Sequence, residues 1–254
     1  MKPGEALRSG LGTLLTACVL LLAWAWATAP GGLQKTVLPS PADVLGALYN
    51  GWVAGQLWPH AAFTAQAALS GLLLGTVLGF MFAALVVMVP LLEAFLLPVV
   101  FALQSVPKIA VAPLVIAYLG FGIGSKIFTA ALLAFFPVFV AAITGMRSLD
   151  AGLIDLYRAL SASRWHVLWH ARIPAAAPFL FAALQIAIVL SLIGSVVSEF
   201  IASTHGLGFI IKARSQDLDV SMMFAAIFTL SLMGVLGSAL VSVARHRLVF
   251  WSAH

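Results

Sequence analysis

Charged residues are scarce in this sequence. They make up 8% of the 254 residues, whereas 63% are hydrophobic, and the mean hydropathy is +1.11. An ordinary soluble domain carries about 25% charged residues, so this composition excludes a water-soluble globule. Because a membrane-spanning helix needs about 20 apolar residues, the chain has room for several, and we predict an all-α membrane protein.

Cysteine is nearly absent as well. Cys18 is the single one, which excludes an intrachain disulfide framework and a cysteine-cluster metal site. His166 and His170 are four residues apart and could share a metal ion, but no third ligand lies near them in the sequence. We therefore expect no metal site.

Motifs of several function classes are also missing. The sequence has no Gly-x-x-x-x-Gly-Lys-Ser/Thr phosphate loop, no His-Glu-x-x-His and no Gly-x-Ser-x-Gly. Its net charge is +5, yet no basic run alternates with aromatic residues as in a nucleic-acid-binding surface. We expect no catalytic residue, no cofactor and no nucleic-acid partner, and any ATP hydrolysis must occur on another chain.

Long uncharged stretches predict six membrane spans. The third would be about 48 Å long as a straight helix, which exceeds a bilayer core of about 30 Å, so we expect it to be broken or overlong. The first looks like a signal peptide, but its 19 uncharged residues exceed the about 7–15 apolar residues of such peptides, which favours a retained anchor. The stretches are 11–29, 61–92, 94–125 (interrupted by Lys108), 127–146, 173–198 and 220–244.

Basic residues are distributed unevenly between the predicted loops. Cytoplasmic loops concentrate lysine and arginine, and with the N-terminus inside, eight lie on the inner side and four on the outer side. We therefore predict that both termini are cytoplasmic, although the inner turn at 90–93 has no basic residue. The inner residues are Lys2, Arg8, Arg147, Arg158, Arg164, Arg172, Arg245 and Arg247; the outer ones are Lys35, Lys126, Lys212 and Arg214.

The chain divides into two predicted parts. Residues 1–59 hold the first span and an outer segment, and residues 60–250 hold a core domain with a polar segment at 147–172. In the outer segment, an amphipathic stretch from Val44 ends near Trp52 and Trp58. Tryptophan favours the membrane–water boundary, so we expect an interfacial piece; a plain solvated loop is the alternative.

Two short amphipathic helices are predicted in the 147–172 segment. The first can be capped by Asp150, and Asp155 and Arg158 can pair on its surface. The second starts at Ser163 and ends at Pro174. The apolar stripe of the first helix could pack on its own bundle or on the membrane interface, or dock into the groove of a soluble partner. The stripe residues are Leu153, Leu156, Tyr157 and Leu160.

Residues 155–161 and Pro174, thirteen residues later, resemble the EAA motif of ABC importer permeases. That motif reads Glu-Ala-Ala, three residues, Gly, and later Ile-x-Leu-Pro. The spacing agrees and the letters differ. The departures are Asp155 for Glu, Leu156 and Tyr157 for the alanines, Ser161 for Gly, Ala171 for Ile and Ile173 for Leu.

Most of the chain, about 36–250, resembles the nitrate/sulfonate/taurine branch of these permeases, through the stretches 38–41, 105–114, 121–126 and 206–208. The resemblance implies a six-helix, type I ABC importer permease-like fold with cytoplasmic coupling helices. It also implies that the ATPase-coupling residues are Asp155, Leu156, Tyr157, Leu160, Ser161 and Pro174.

The same resemblance implies a role and partners. The chain would be a noncatalytic permease subunit in the bacterial inner membrane, moving a small solute by alternating access. Its partners would be membrane lipid, cytoplasmic ABC ATPase subunits, a second permease copy in a homodimer, and a periplasmic or lipid-anchored solute-binding protein. The branch suggests an anion such as a sulfonate, taurine or nitrate; a thiamine-precursor pyrimidine or an aromatic carboxylate is the alternative.

Two ionisable residues are candidates for the translocation pathway. Lys108 lies in the third span between Pro107 and Pro113, which break a helix, so this backbone should line protein or water; snorkelling to an interface is the alternative. Glu199 closes the fifth span. It could be a gate, a partner of Lys108 or a solvated helix end, the interpretation that we favour.

Two other function classes need acid or base groups within the spans. For an intramembrane enzyme, only Lys108 and Glu199 qualify. For a proton-coupled secondary carrier, Glu93 and Glu199 lie at span ends. Both classes therefore remain alternatives to an importer permease.

Overall fold

The computed structural model describes residues 3–250, apart from the side chains of residues 3–11, 13 and 90. Over this range the chain is helical and contains no strand, which confirms the all-α prediction. Lys2 and the side chain of Arg8, which contribute to the predicted orientation, lie outside the described part.

Eleven α-helices and two tighter or wider helical turns follow one another in the described range. In chain order they are α1 (Pro3–Ala27), α2 (Pro41–Val53), α3 (Leu57–Met88), α4 (Pro90–Gln104), a 3₁₀ turn (Lys108–Val111), α5 (Ala112–Leu119), α6 (Ile123–Arg147), α7 (Ala151–Ala159), α8 (Arg164–Val167), a π turn (Leu168–Arg172), α9 (Ile173–Ile201), α10 (Leu207–Gln216) and α11 (Val220–Leu248).

The core of the bundle is formed by α3, α6 and α9. Gly71, Gly75 and Gly79 recur every four residues along α3, and a Cβ atom at each would lie 2.4–2.9 Å from atoms of α6. Small residues let helices approach closely in a membrane, where van der Waals packing drives their association. The glycine row therefore sets the distance between α3 and α6.

Four helical segments are long and apolar enough to cross a bilayer: α3, α6, Arg164–Ile201 and α11. A fifth candidate is the pair Leu91–Gln104 and Lys108–Leu119, which bends by 86°, so the predicted break in the third span is confirmed. In α1 the apolar helix found is the shorter Leu14–Ala27. These helices are compatible with six spans.

The bent pair α4–α5 connects opposite ends of the bundle. Glu93 of α4 forms an ion pair with Arg147, at the C-terminal end of α6. After α5, the carbonyl of Phe121 accepts a hydrogen bond of 2.7 Å from Nζ of Lys126, at the N-terminal end of α6. Because α6 is about 37 Å long, the pair crosses as one broken span. We call these two ends of the bundle the Arg147 end and the Lys126 end.

The segment between α1 and α3 contains α2, so the plain-loop alternative for residues 30–59 is wrong. Ser40 caps α2 by accepting from the backbone N–H of Asp43 at 3.2 Å. The pKa of Asp43 is lowered because its carboxylate accepts hydrogen bonds from Ser40 and Lys35. The ring of Trp52, in the last turn of α2, lies 6.1 Å from that of Trp58, in the first turn of α3.

The second short helix does not end at Pro174, contrary to the prediction. α8 continues through the π turn into α9 as one helical segment, Arg164–Ile201. In an α-helix, a proline ring clashes with the carbonyl four residues earlier. The wider hydrogen-bonded turn at Leu168–Arg172 shifts the carbonyls that precede Pro174, so the helix passes through this proline.

Candidate functional site

Side chains fix both ends of the short helices in the 147–172 segment. Oδ1 of Asp150 accepts a hydrogen bond of 2.8 Å from the backbone N–H of Gly152, which confirms the predicted cap of α7. Ser163 caps α8 by accepting from the N–H of His166 at 3.2 Å. The predicted surface pair of Asp155 and Arg158 is present at 2.9 Å.

The apolar stripe of α7 faces away from the bundle. Leu153, Leu156 and Leu160 are 38%, 54% and 71% exposed, while Tyr157 is half-buried, its ring 6.2 Å from that of His166. Packing of the leucines on their own bundle is therefore wrong. A row of exposed leucines on a polar segment is a surface that another molecule can cover.

Ser161 ends α7 in a conformation that favours glycine. Its φ is +54°, in the left-handed region, where a Cβ atom costs energy. The N–H of Ala162 donates to the carbonyl of Tyr157, and the N–H of Ser161 to that of Arg158, both at 2.9 Å. This is the Schellman pattern of a helix C-terminus, in which this position is usually Gly. The turn that the EAA motif makes with Gly is thus formed here with Ser161.

The 147–172 segment is attached to α3 at the Arg147 end. Arg164 donates to the carbonyl of Met88 at 3.5 Å, and Arg172 donates to that of Val87 at 3.2 Å. The last carbonyls of a helix have no partner within it and carry its negative dipole end, so cations bind there favourably. The two arginines therefore connect this segment to α3.

Lys108 begins the turn at the break between α4 and α5. Its Nζ donates to the carbonyl of Gln104 at 2.9 Å and lies 4.4 Å from the centre of the Phe136 ring. The side chain lines a cavity of about 510 Å³ that also borders Pro107, Leu133 and Leu190. The backbone around the break thus faces a cavity, as the flanking prolines predicted.

Glu199 is fully buried, so its interpretation as a solvated helix end is wrong. The two oxygens of its carboxyl group lie 2.9 and 3.1 Å from the hydroxyl of Thr64, and one lies 3.0 Å from that of Ser195. Lys108, whose contacts are Gln104 and Phe136, is not among its hydrogen-bond partners. The carboxyl group is buried because α10 folds back over the end of α9.

Three consecutive N–H groups at the start of α10 bind side chains of other helices. Those of Gly206, Leu207 and Gly208 donate to His60 at 3.0 Å, to Thr64 at 2.9 Å and to Glu199 at 2.8 Å. A Cβ atom on Gly206, whose φ is +105°, would lie 2.3 Å from the carboxyl carbon of Glu199. Glycine is therefore required here, and α3, α9 and α10 are joined at the Lys126 end.

Lys126 is a residue whose role the sequence did not reveal. The sequence predicts an outer loop at this position, but Lys126 is fully buried, and its Nζ donates to the carbonyls of Phe121 at 2.7 Å and Ala202 at 2.6 Å. We call the buried groups of Thr64, Lys126, Ser195 and Glu199 the polar cluster. The small polar residues of the fifth span are the signal in the sequence that indicates it. Ser191, Ser195 and Ser198 recur three or four residues apart on the face of α9 that also carries Glu199.

Residues 75–249 match the family of binding-protein-dependent transport system inner membrane components. Over 243 residues the chain is 34% identical to the riboflavin transport system permease protein RibX of Chloroflexus aurantiacus, covering 96% of this chain and 91% of RibX. Over 251 residues it is 31% identical to the putative aliphatic sulfonates transport permease protein SsuC of Bacillus subtilis, covering 98% of this chain and 91% of SsuC.

A solved structure, an inward-facing conformation of the MetNI methionine ABC transporter, has the same fold. Its TM-score is 0.56 at 19% sequence identity, and the match covers 76% of this chain and 97% of that chain. The chain belongs to the family of ABC importer permeases that includes the sulfonate and taurine branch. It is a multi-pass inner-membrane transport subunit, not an enzyme, and permeases of this family work with ATPase subunits and a solute-binding protein.

Proposed function

We propose that this permease couples to its ATPase through α7, whose exposed leucine stripe enters a groove of the ATPase subunit. The observation that carries the proposal is the exposure of Leu156 and Leu160 on a helix that is capped and ended by its own residues. Asp155, Tyr157, Ser161 and Pro174 complete the coupling element. Asp155 pairs on its surface, Ser161 turns the chain, and Pro174 lies where the segment enters α9.

Movement of α7 would reach the spans by two routes. Through α8 and the π turn, the segment is continuous with α9. Through Arg164 and Arg172, it is bound to the carbonyls that end α3. Since α3 and α9 both pack on α6, a displacement imposed by the ATPase would change the packing of the whole core.

Leu160→Asp tests the coupling proposal. A charge in a desolvated contact costs several kcal/mol without a compensating partner, and each 1.4 kcal/mol is about tenfold in affinity, so the ATPase should be lost on purification. Since Leu160 is 71% exposed, the permease itself should reach normal levels in the membrane.

Ala151→Asp is the matched control, because Ala151 lies on the opposite face of α7. It lies in the first turn, where an acidic residue is favourable. Retention of the ATPase by Leu160→Asp at the wild-type ratio, with intact uptake, would contradict the proposal.

We also propose that the Arg147 end faces the cytoplasm and the Lys126 end faces the solute-binding protein. Arginines predominate at the Arg147 end, as the positive-inside rule requires of a cytoplasmic face. Trp24 of α1 packs on Phe224 and Phe228, near the start of α11, with ring centres 6.1 and 6.3 Å apart. Since α11 follows α10, it starts at the Lys126 end, and α1 therefore ends there too. This orientation gives both termini a cytoplasmic location.

The solute that we propose is a small anion, such as a sulfonate, taurine or nitrate, passing between two copies of this chain in a homodimer. Support comes from the ammonium group of Lys108, which lines an open cavity of about 510 Å³ at the break in the third span. A thiamine-precursor pyrimidine or an aromatic carboxylate is the alternative. RibX is named for riboflavin and SsuC for aliphatic sulfonates, so permeases of similar identity to this chain are named for different solutes.

Ligand-induced stabilisation of the cognate solute-binding protein tests the identity of the solute. We expect a sulfonate, taurine or nitrate to raise its unfolding temperature, because a ligand that binds only the folded state stabilises it. Stabilisation by a pyrimidine or an aromatic carboxylate, and by none of these anions, would replace the proposed solute. Uptake that requires the ATPase and resists uncouplers at fixed ATP would exclude a proton-coupled carrier.

A further inference from the structure

Two cavities of different chemistry adjoin at the Arg147 end. The first, of about 470 Å³, lies between the α7–α8 turn and the end of α3, and three arginines line it: Arg158, Arg164 and Arg172. The second, of about 730 Å³, is lined by apolar side chains of α3 together with Trp165 and Trp169. Met88 lines both cavities, so they lie next to each other at this residue. We call them the arginine pocket and the apolar groove.

The arginine pocket carries a positive charge that its lining does not neutralise. No carboxylate is among its described lining residues. Arg158 pairs with Asp155, and Arg164 and Arg172 each donate to a backbone carbonyl. A guanidinium has five N–H donors, so these single contacts leave each arginine able to bind oxygens of an anion. The pocket therefore fits a phosphate group.

The apolar groove lies beside the pocket on the outer surface of the bundle. Trp165 and Trp169 are 62% and 61% exposed, in the first turns of a helical segment that spans the membrane. Exposed tryptophans at the start of a span are typical of the membrane interface. An apolar groove beside such residues is where we expect the acyl chains of a phospholipid to begin.

We propose that these cavities together form a binding site for one anionic phospholipid of the cytoplasmic leaflet. The phosphate of the headgroup binds in the arginine pocket, and an acyl chain lies in the apolar groove past Met88. Basic pockets between helices on the cytoplasmic side bind lipid headgroups of this charge. The second permease copy is the competing occupant of the apolar groove, but it would leave Arg164 and Arg172, whose contacts are backbone carbonyls, without an anion.

The site leaves the coupling surface of α7 free. Ile154 and Arg158 are the residues of α7 that line the arginine pocket, and at 100° per residue their face is roughly a third of a turn from the leucine stripe. The proposed lipid site and the leucine stripe therefore use different faces of α7. The bound lipid would hold α7 and α8 against the end of α3, so the anionic lipid content of the membrane would modulate coupling.

Native mass spectrometry of the full-length permease, titrated with lipids, tests the proposal. The probes are phosphatidylglycerol, phosphatidylcholine with the same acyl chains, and inorganic phosphate. The variant is Arg158→Gln with Arg164→Gln. Each basic residue near an anionic lipid contributes a factor of about five in affinity, so we expect the pair of substitutions to weaken phosphatidylglycerol binding by about 25-fold. The control, Arg245→Gln with Arg247→Gln, removes two charges from the last turn of α11 and should bind as the wild type does.

Each result of this titration bears on the proposal. Selective binding of phosphatidylglycerol that only the pocket variant loses would support it. Equal binding of phosphatidylcholine, or equal binding by the pocket variant, would overturn it.

Saturation by inorganic phosphate with no gain from the acyl chains would assign the pocket to a free anion instead. If the pocket variant is not recovered, Arg158→Gln alone replaces it, because the side chain of Arg158 is exposed. This variant removes one charge, so phosphatidylglycerol binding should weaken about fivefold, and unchanged affinity would overturn the proposal. Dissociation of a permease dimer by Trp165→Ala, without loss of lipid, would assign the groove to a second copy.

Discussion

Thr64 and Glu199 connect α3 to α9 through one hydroxyl and one carboxyl group. Oγ1 of Thr64 lies 2.9 and 3.1 Å from the two carboxyl oxygens, and the same atom accepts from the N–H of Leu207 at 2.9 Å. Both side chains are fully buried. Because the hydroxyl serves as donor and acceptor at once, these two residues fix the start of α10 relative to the core.

Glu199→Ala should destabilise the permease strongly. The change leaves the N–H of Gly208 and the hydroxyls of Thr64 and Ser195 without their acceptor, and each buried donor that finds no other partner costs about 1–3 kcal/mol. We expect a loss of about 2–5 kcal/mol in stability, seen as a lower unfolding temperature in detergent and a lower yield.

Two variants serve as controls for Glu199→Ala. Glu199→Gln keeps the shape and one acceptor oxygen, so its unfolding temperature should lie between those of Glu199→Ala and the wild type. Glu93→Ala removes a partly exposed ion pair with Arg147, and such pairs contribute about 0–1 kcal/mol. An unfolding temperature of Glu199→Ala equal to the wild-type value would show that the carboxyl group does not hold α10.

Ser161→Gly should preserve or improve the end of α7. Since Ser161 has a φ of +54°, glycine removes the steric cost of a Cβ atom in the left-handed region, which is about 1 kcal/mol. Ser161→Val places a β-branched side chain in the same conformation and should weaken the turn. We expect Ser161→Gly to retain the ATPase on purification and Ser161→Val to lose part of it.

The two Ser161 variants are compared at equal permease levels, so that a difference in the ATPase ratio reports the turn alone. Equal ATPase retention by Ser161→Val and by the wild type would mean that the left-handed turn does not position the coupling stripe. Loss of the ATPase in Ser161→Gly would mean that the hydroxyl has a role beyond the turn.

Local patterns in the sequence predicted the 147–172 segment well. The cap at Asp150, the pair of Asp155 with Arg158 and the start of α8 at Ser163 depend on residues at most three apart, and all three were confirmed. The prediction at Pro174 is wrong because proline usually ends a helix, whereas the π turn at Leu168–Arg172 lets this helix continue.

The polar cluster at the Lys126 end could not be predicted in the same way. Thr64 and Glu199 are 135 residues apart in the chain, and their contact depends on how α3, α9 and α10 pack. Lys126 and Glu199 lie close to span ends in the sequence, so they resembled loop charges. Their burial follows from backbone carbonyls and N–H groups that supply partners only after the helices have assembled.

A topology measurement tests the orientation that we propose. Because the Arg147 end carries the excess of basic residues, a reporter active only in the cytoplasm should give a signal when fused after His254. A reporter active only in the periplasm should give a signal when inserted next to Lys35, which is exposed in the segment after α1. An inactive cytoplasmic reporter at the C-terminus would overturn the count of six spans.

The same substitution, lysine to methionine, made at Lys108 and at Lys126 separates an effect on transport from an effect on stability. Lys108→Met keeps the aliphatic stem near Phe136 and deletes the charge that lines the cavity, so solute uptake should fall several-fold at unchanged membrane abundance. Lys126→Met deletes a buried ammonium that donates to the carbonyls of Phe121 and Ala202. Because two buried acceptors then lose their donor, at about 1–3 kcal/mol each, its abundance and unfolding temperature should fall. Uptake and a quantitative immunoblot on the same membranes distinguish the two outcomes. Normal uptake by Lys108→Met would contradict a pathway role and would favour the alternative, in which Lys108 snorkels to the interface.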